Sequence, residues 1–209
     1  MTIKIFTVAE MVAAEKAADA AGHAYADMMA TAGQRVAEAI LQRHDVVERQ
    51  VLVFVGPGNN GGDGLVAGRY LAEAGATVAF YLFKPRDAAV DENLAQVEEM
   101  GLEVLLADYD QRYRVLRHRL RVTDIVIDAL LGTGVTRPIS GPLAALMEQV
   151  KAGIEEKRQA AAPGPAALFA VTALPGSGDE ADETDERPSR PVSDSRYQKR
   201  SGVRAARSP

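Results

Sequence analysis

Residues 51–64 read VLVFVGPGNNGGDG. The first five are continuously apolar and β-prone, the pattern of a parallel strand covered on both faces. Glycines follow at once, at Gly56, Gly58, Gly61, Gly62 and Gly64. Glycine lets a backbone turn sharply and approach a ligand without Cβ interference. Apolar residues resume after the glycines, so a helix is expected from about Asp63 to Ala74. A helix start presents free N–H groups and the positive end of its dipole, which together make a phosphate site. Asn59, Asn60 and Asp63 add amide donors and oxygen acceptors to the same turn. A phosphate has no use for an aspartate, whereas a sugar hydroxyl or a hard cation does. A plain structural turn is the alternative, but it would not require two asparagines and an aspartate.

The strand–turn–helix unit is repeated downstream. Residues 77–83 (TVAFYLF) form a second expected strand, Asp87–Met100 a helix and Leu102–Leu106 a short strand. Asp124–Asp128 (DIVID) is a further strand, Pro142 to about Ile154 a helix, and Ala166–Leu174 a candidate last strand. Residues 107–122 (ADYDQRYRVLRHRLRV) are basic and read as a surface helix or loop. Upstream, Thr7 and Glu10 have capping-box spacing, opening a helix that ends near Gly22. A second helix is expected over Tyr25–Arg43, with Met28, Met29, Ala32, Val36, Ala39 and Ile40 at helical spacing. Alternation of strands and helices implies βαβ units and a parallel sheet.

Composition narrows the function. The chain has 209 residues, 47% of them hydrophobic, and a formal net charge of -5. That balance argues against nucleic acid as a partner. The absence of cysteine removes disulfides, thiolate catalysis and Cys-type zinc sites. The three histidines, His23, His44 and His118, share no ligand spacing. With neither a signal-peptide pattern nor 18 consecutive apolar residues, a cytoplasmic protein with no membrane contact is expected. Near residue 175 the composition changes. Six acids fall within Gly176–Glu186, and Arg, Ser and Pro dominate beyond them. Such blocks bury little, so the expected organisation is a domain over 1–175 and a disordered tail over 176–209.

Two loops carry the chemistry. Gly56, Gly58 and Gly61 satisfy G-x-G-x-x-G, which invites a redox dinucleotide reading. The acid expected after the next strand is missing, because Phe83 is followed by Lys84, Pro85 and Arg86. Basic residues there would suit a 2′-phosphate instead. The second loop, DALLGTGVTRP (128–138), follows the strand ending at Asp128. Ligands of open α/β sheets bind at the carboxyl ends of strands, so both loops are expected to face one crevice. There Asn60 and Asp128 would converge on a hard cation with oxygen ligands. Arg137 is either a phosphate contact or a solvated arginine.

The segments GPGNNGGDGLVAGRYL (56–71), DALLGTGVTRPISGPLAALM (128–147) and TVAEM…MMATAG (7–33) together resemble the YjeF N-terminal family, the NAD(P)HX epimerases. The resemblance extends over about residues 4–155. It implies a Rossmann-like three-layer αβα sandwich with a mostly parallel sheet, commonly a homodimer, and often fused to an NAD(P)HX dehydratase. The implied reaction interconverts the R and S forms of hydrated NADH and NADPH. Asn59, Asn60, Gly61, Gly62 and Asp63 fall on the family's substrate loop. Gly132, Thr133, Gly134, Val135, Thr136, Arg137 and Pro138 fall on its second substrate loop. Asn60 and Asp128 fall on its potassium ligands. No catalytic residue is assigned.

One departure stands out. The family continues into a V-D-x-P-S-G motif, whose aspartate binds substrate and whose serine binds potassium. Here residues 169–178 read FAVTALPGSG, with Thr172 in place of the aspartate and Ser177 out of register. A frameshifted or truncated gene would produce this break, and natural divergence is the alternative. Two further functions stay open beside the epimerase: a non-catalytic nucleotide-binding module on the same fold, and an NADP-dependent oxidoreductase.

Overall fold

The computed structural model describes residues 6–160. The candidate strand Ala166–Leu174, the Thr172–Ser177 departure, the 175/176 domain boundary and the tail all lie outside the described residues.

Strand β1 (Gln50–Val55) is buried from Val51 onward, as its unbroken apolar run requires. It pairs in parallel with β2 (Thr77–Leu82) on one side and β4 (Ile125–Ala129) on the other. Strand β3 (Glu103–Leu106) pairs in parallel with β2. The described sheet is therefore four-stranded and all parallel, in the order β3-β2-β1-β4. Register is tight at the central pair, where Val53 stands opposite Phe80 and Val55 opposite Leu82.

Helices cover both faces, because alternate residues of each strand point to opposite sides. Val51, Val53, Val55, Val78 and Phe80 face one core, which takes Ala37 from α2 (Tyr25–Leu41), Leu65 and Leu71 from α3 (Asn59–Glu73), and Leu94 and Val97 from α4 (Glu92–Glu99). Leu52, Phe54, Ala79 and Tyr81 face the other core, with Leu116 and Leu120 from α5 (Arg114–Val122) and Leu146 from α6 (Gly141–Ala160). The result is an αβα sandwich.

The amino-terminal helix α1 (Val8–Ala20) carries the capping box, with the Thr7 side chain accepting from Glu10 N and the Glu10 carboxylate accepting from Thr7 N. None of its residues is buried.

Several elements differ from expectation, among them α6, which runs to Ala160 where the sequence suggested about Ile154. Helix α3 begins at Asn59, four residues before Asp63, because close packing against the sheet and α2 overrides the low helix propensity of glycine. Helix α4 begins at Glu92, because Asp91 takes the cap, its side chain accepting from Leu94 N. Asp87 instead forms an Asx turn with Ala89 N. The basic stretch 107–122 is not merely surface. It forms two short 3₁₀ turns and α5, whose Leu116 and Leu120 enter the second core.

Candidate functional site

The site is prepared by connectivity. From β1 the chain leaves into α3 on one face of the sheet, whereas from the neighbouring β4 it leaves into α6 on the opposite face. Adjacent parallel strands whose connections depart to opposite faces open a crevice at their carboxyl ends, the usual ligand position in open α/β sheets. The two glycine-rich loops meet there. Gly56 N donates to Ala129 O at 3.0 Å, and Asn60 Nδ2 donates to Leu131 O at 2.9 Å.

Only part of GPGNNGGDG is loop. Gly56 is buried against the carbonyl of Leu130, so any side chain there would collide with β4's exit. Gly61, Gly62 and Gly64 lie inside α3 and are buried. A Cβ at Gly64 would stand 2.5 Å from the Ala129 methyl, and one at Gly62 would strike the Met29 sulfur of α2. These glycines bring α3 down onto the sheet and α2. Gly58, by contrast, faces open space. It occupies the N-cap of α3 without a side-chain cap. Among the described residues, the backbone N–H groups of Asn59 and Asn60 have no hydrogen-bond partner. Uncapped amides at a helix start, beside open space, form an anion-binding end.

Arg86 holds this turn from beneath, a role that its position in the sequence did not suggest. Its Nη1 donates to Gly56 O at 2.8 Å and to Gly58 O at 3.1 Å, while Nε donates to Asp91. Arg86 and Asp91 are each only 14% exposed at the side chain. Arg86 thus spends Nε and Nη1 on Asp91 and the glycine turn. Lys84 pairs with Asp108 at 3.6 Å.

Asp63 lies in the second turn of α3 and is half-buried. Among the described residues its carboxylate has no hydrogen bond or salt bridge. Its pKa is pushed up to about 6, first by burial and then by the charge of Glu15 on α1. A carboxyl group in that range can give and take a proton near neutral pH.

Asp128 is exposed at the end of β4, and its Oδ1 accepts from Leu130 N at 3.0 Å. Oδ2 is left for another partner. Asn60 likewise spends its amide nitrogen on Leu131 O and keeps Oδ1 as an acceptor. Two side-chain oxygens thus border the junction of the loops. Among the described residues there is no cluster of three or more His, Cys, Asp or Glu suited to a metal ion.

The second loop is of another kind. Residues 131–140, which include Gly132, Thr133, Gly134, Val135, Thr136, Arg137 and Pro138, are exposed throughout. Leu131, through its carbonyl, and Gly132, where a Cβ would come within 3.1 Å of Asn60 Cβ, stand close to the first loop.

Comparison with known proteins adds the following. The family model described as the N-terminus of YjeF-related proteins matches residues 25–163. The bifunctional NAD(P)H-hydrate repair enzyme Nnr of Moorella thermoacetica is 39% identical over 129 residues, covering 59% of this chain and 24% of that protein. The NAD(P)H-hydrate epimerase of Rhodobacter capsulatus is 33% identical over 145 residues, covering 66% of each. The chain thus spans about a quarter of the bifunctional relative and two thirds of the shorter one. Among solved structures, yeast YNL200c aligns with a TM-score of 0.55 at 24% identity, over 71% of this chain and 65% of that one, and supports the fold. Among the described residues no helix is long and apolar enough to cross a membrane.

Proposed function

The chain belongs to the YjeF-related N-terminal family, and on that premise we propose that it interconverts the R and S epimers of hydrated NADH and NADPH. The observation that carries this reading is the junction of two loops from β1 and β4 over an uncapped helix start. A nucleotide phosphate would take the free amides of Asn59 and Asn60, and the hydrated ring would lie between Asn59–Asp63 and Gly132–Pro138. Relatives bearing the names NAD(P)H-hydrate epimerase and bifunctional repair enzyme support the substrate class.

The reaction concerns a ring carbon bonded to both a hydroxyl and the ring nitrogen. The nitrogen lone pair pushes, the C–O bond breaks, and the departing oxygen takes a proton and leaves as water. Water then adds to the other face and returns the proton. No net oxidation occurs. The protein must hold the ring and move one proton. Asp63, unpaired and with a pKa near 6, is suited to that proton. Potassium, if held, would rest on Asn60 Oδ1 and Asp128 Oδ2 and supply positive charge beside the phosphate.

A functional link to an NAD(P)HX dehydratase accompanies this proposal, as the name of the bifunctional relatives suggests. A homodimer through α1 also belongs to it, since Val8, Met11 and Val12 are exposed apolar residues on a helix that buries none. A cytoplasmic location is part of the same proposal, in keeping with a water-soluble nucleotide substrate. The test is the rate at which pure S-NADHX equilibrates with its R epimer. Acceleration over buffer is expected. A folded chain that binds the nucleotide without acceleration would instead be a binding module, and hydride transfer would point to an oxidoreductase.

A further inference from the structure

A cavity of about 230 Å³ opens at the carboxyl ends of β2 and β3, on the same edge of the sheet as the two glycine loops. Phe83, Tyr113, Leu146 and Pro142 give it apolar and aromatic walls, while Asp108 and Arg112 stand among its polar lining. Pro142 is in the first turn of α6, so the second loop runs from β4 to the cavity's edge. From the β1–β4 crevice to the β2–β3 ends is two strand spacings, about 10 Å.

The backbone here is strained. Arg112 and Tyr113 are consecutive non-glycine residues in the left-handed region, with φ 57° and 55°. Such residues are energetically costly and persist where their surroundings over-determine them. Asp110 supplies that constraint. Its carboxylate accepts from Val115 N, from Leu116 N and from the Tyr81 hydroxyl. Burial raises the Tyr81 pKa, so the hydroxyl stays a donor. The Arg112 guanidinium has no hydrogen bond or ion pair among the described residues. Lys84 Nζ stands 5.3 Å from the centre of the Phe83 ring and 3.6 Å from Asp108. The cavity therefore combines two aromatic side chains with one unpaired lining cation, Arg112, beside Asp108, which is paired with Lys84, and Asp110, which is committed to its own turn, and that turn is held in a costly conformation.

We propose that the cavity between the ends of β2 and β3 seats the purine of a nucleotide, with Arg112 placed for a phosphate attached to it. This rests on the reading of the chain as a nucleotide enzyme and extends it. The substrate's hydrated ring lies at the β1–β4 crevice, and its other nucleoside end reaches the cavity. The two ends of the ligand are then bound independently.

The full chain is titrated calorimetrically with 5′-AMP and, separately, with nicotinamide mononucleotide. AMP is expected to bind, shifting the amides of Phe83 and Tyr113 in NMR spectra. Ala107→Trp, which fills the cavity, should weaken AMP at least tenfold and leave nicotinamide mononucleotide unchanged. Arg112→Gly, which keeps the left-handed backbone without a cation, should weaken AMP several-fold and decides the matter should Ala107→Trp fail to fold. Failure of AMP to bind the unaltered chain, unchanged AMP binding in Arg112→Gly, or AMP shifts confined to residues 59–63 would overturn the proposal. AMP bound in the cavity of a chain that does not epimerise S-NADHX would uphold the purine seat and reject the epimerase reading.

Discussion

The two glycine-rich loops follow neighbouring strands and look alike in sequence, yet they are built for opposite purposes. In the first, most glycines are buried and allow α3 to press on β4 and α2, and Arg86 pins the turn's carbonyls. In the second, residues 131–140 are exposed throughout, and Gly134 has open space around it. Glycine in the first loop is a packing requirement, whereas in the second Gly134 packs against nothing among the described residues. A rigid anion-binding end facing an adaptable cover is a common division of labour in ligand sites.

Substitution can break that contrast. The largest effect is expected at Gly56→Ala, where the new methyl would meet the Leu130 backbone. Backbone cannot yield as a side chain can, so a loss of about 3 kcal/mol or more is expected in chemical denaturation. The same substitution at Gly134 should change stability by less than about 0.5 kcal/mol. Equal losses at the two positions would dissolve the comparison.

Arg86→Ala comes next. It strands Asp91 and frees two carbonyls of the turn. A loss of about 2 kcal/mol is expected, at the modest end for a largely buried pair. Arg86→Lys should recover little, because one ammonium cannot reproduce the forked contacts. Full recovery by lysine would show that charge alone holds the loop.

Asp63→Asn should act in the opposite direction. The folded pKa of about 6 lies above the ordinary 3.8. The folded state therefore keeps a proton that the unfolded chain releases, and this stabilising contribution is present below about pH 4 and lost as pH rises through 6. At pH 7 the ionised carboxylate costs stability. Asparagine should raise stability there by about 1 kcal/mol, after discounting for partial exposure, and the gain should vanish near pH 4. Epimerisation should fall in the same variant. A pH-independent gain would mean that removal of Asp63's charge is not its cause.

The sheet was legible in the sequence because β1, β2 and β4 are short apolar runs bounded by glycine, proline or charge, a pattern that helices do not share. The junction of the loops was legible too, since strand ends and glycines mark it. The start of α3 was not, because local propensity puts glycines outside helices while packing against Ala129 and Met29 puts them inside. Arg86 was read as a ligand contact for a related reason. A cation after a strand does not reveal whether it faces solvent or two backbone carbonyls 28 and 30 residues away. The raised pKa of Asp63 comes first from its burial and then from the charge of Glu15 on α1, both tertiary effects with no local sequence signal.

The central claim is that both loops hold one nucleotide together. It is tested most directly by amide NMR of the isotopically labelled chain titrated with NADHX. The amides of Asn59–Asp63 and of Gly132–Arg137 are expected to shift with a single shared dissociation constant, and Asn60→Ala is expected to weaken both responses together. Shifts in only one of the two loops, or two loops responding with different dissociation constants, would contradict it.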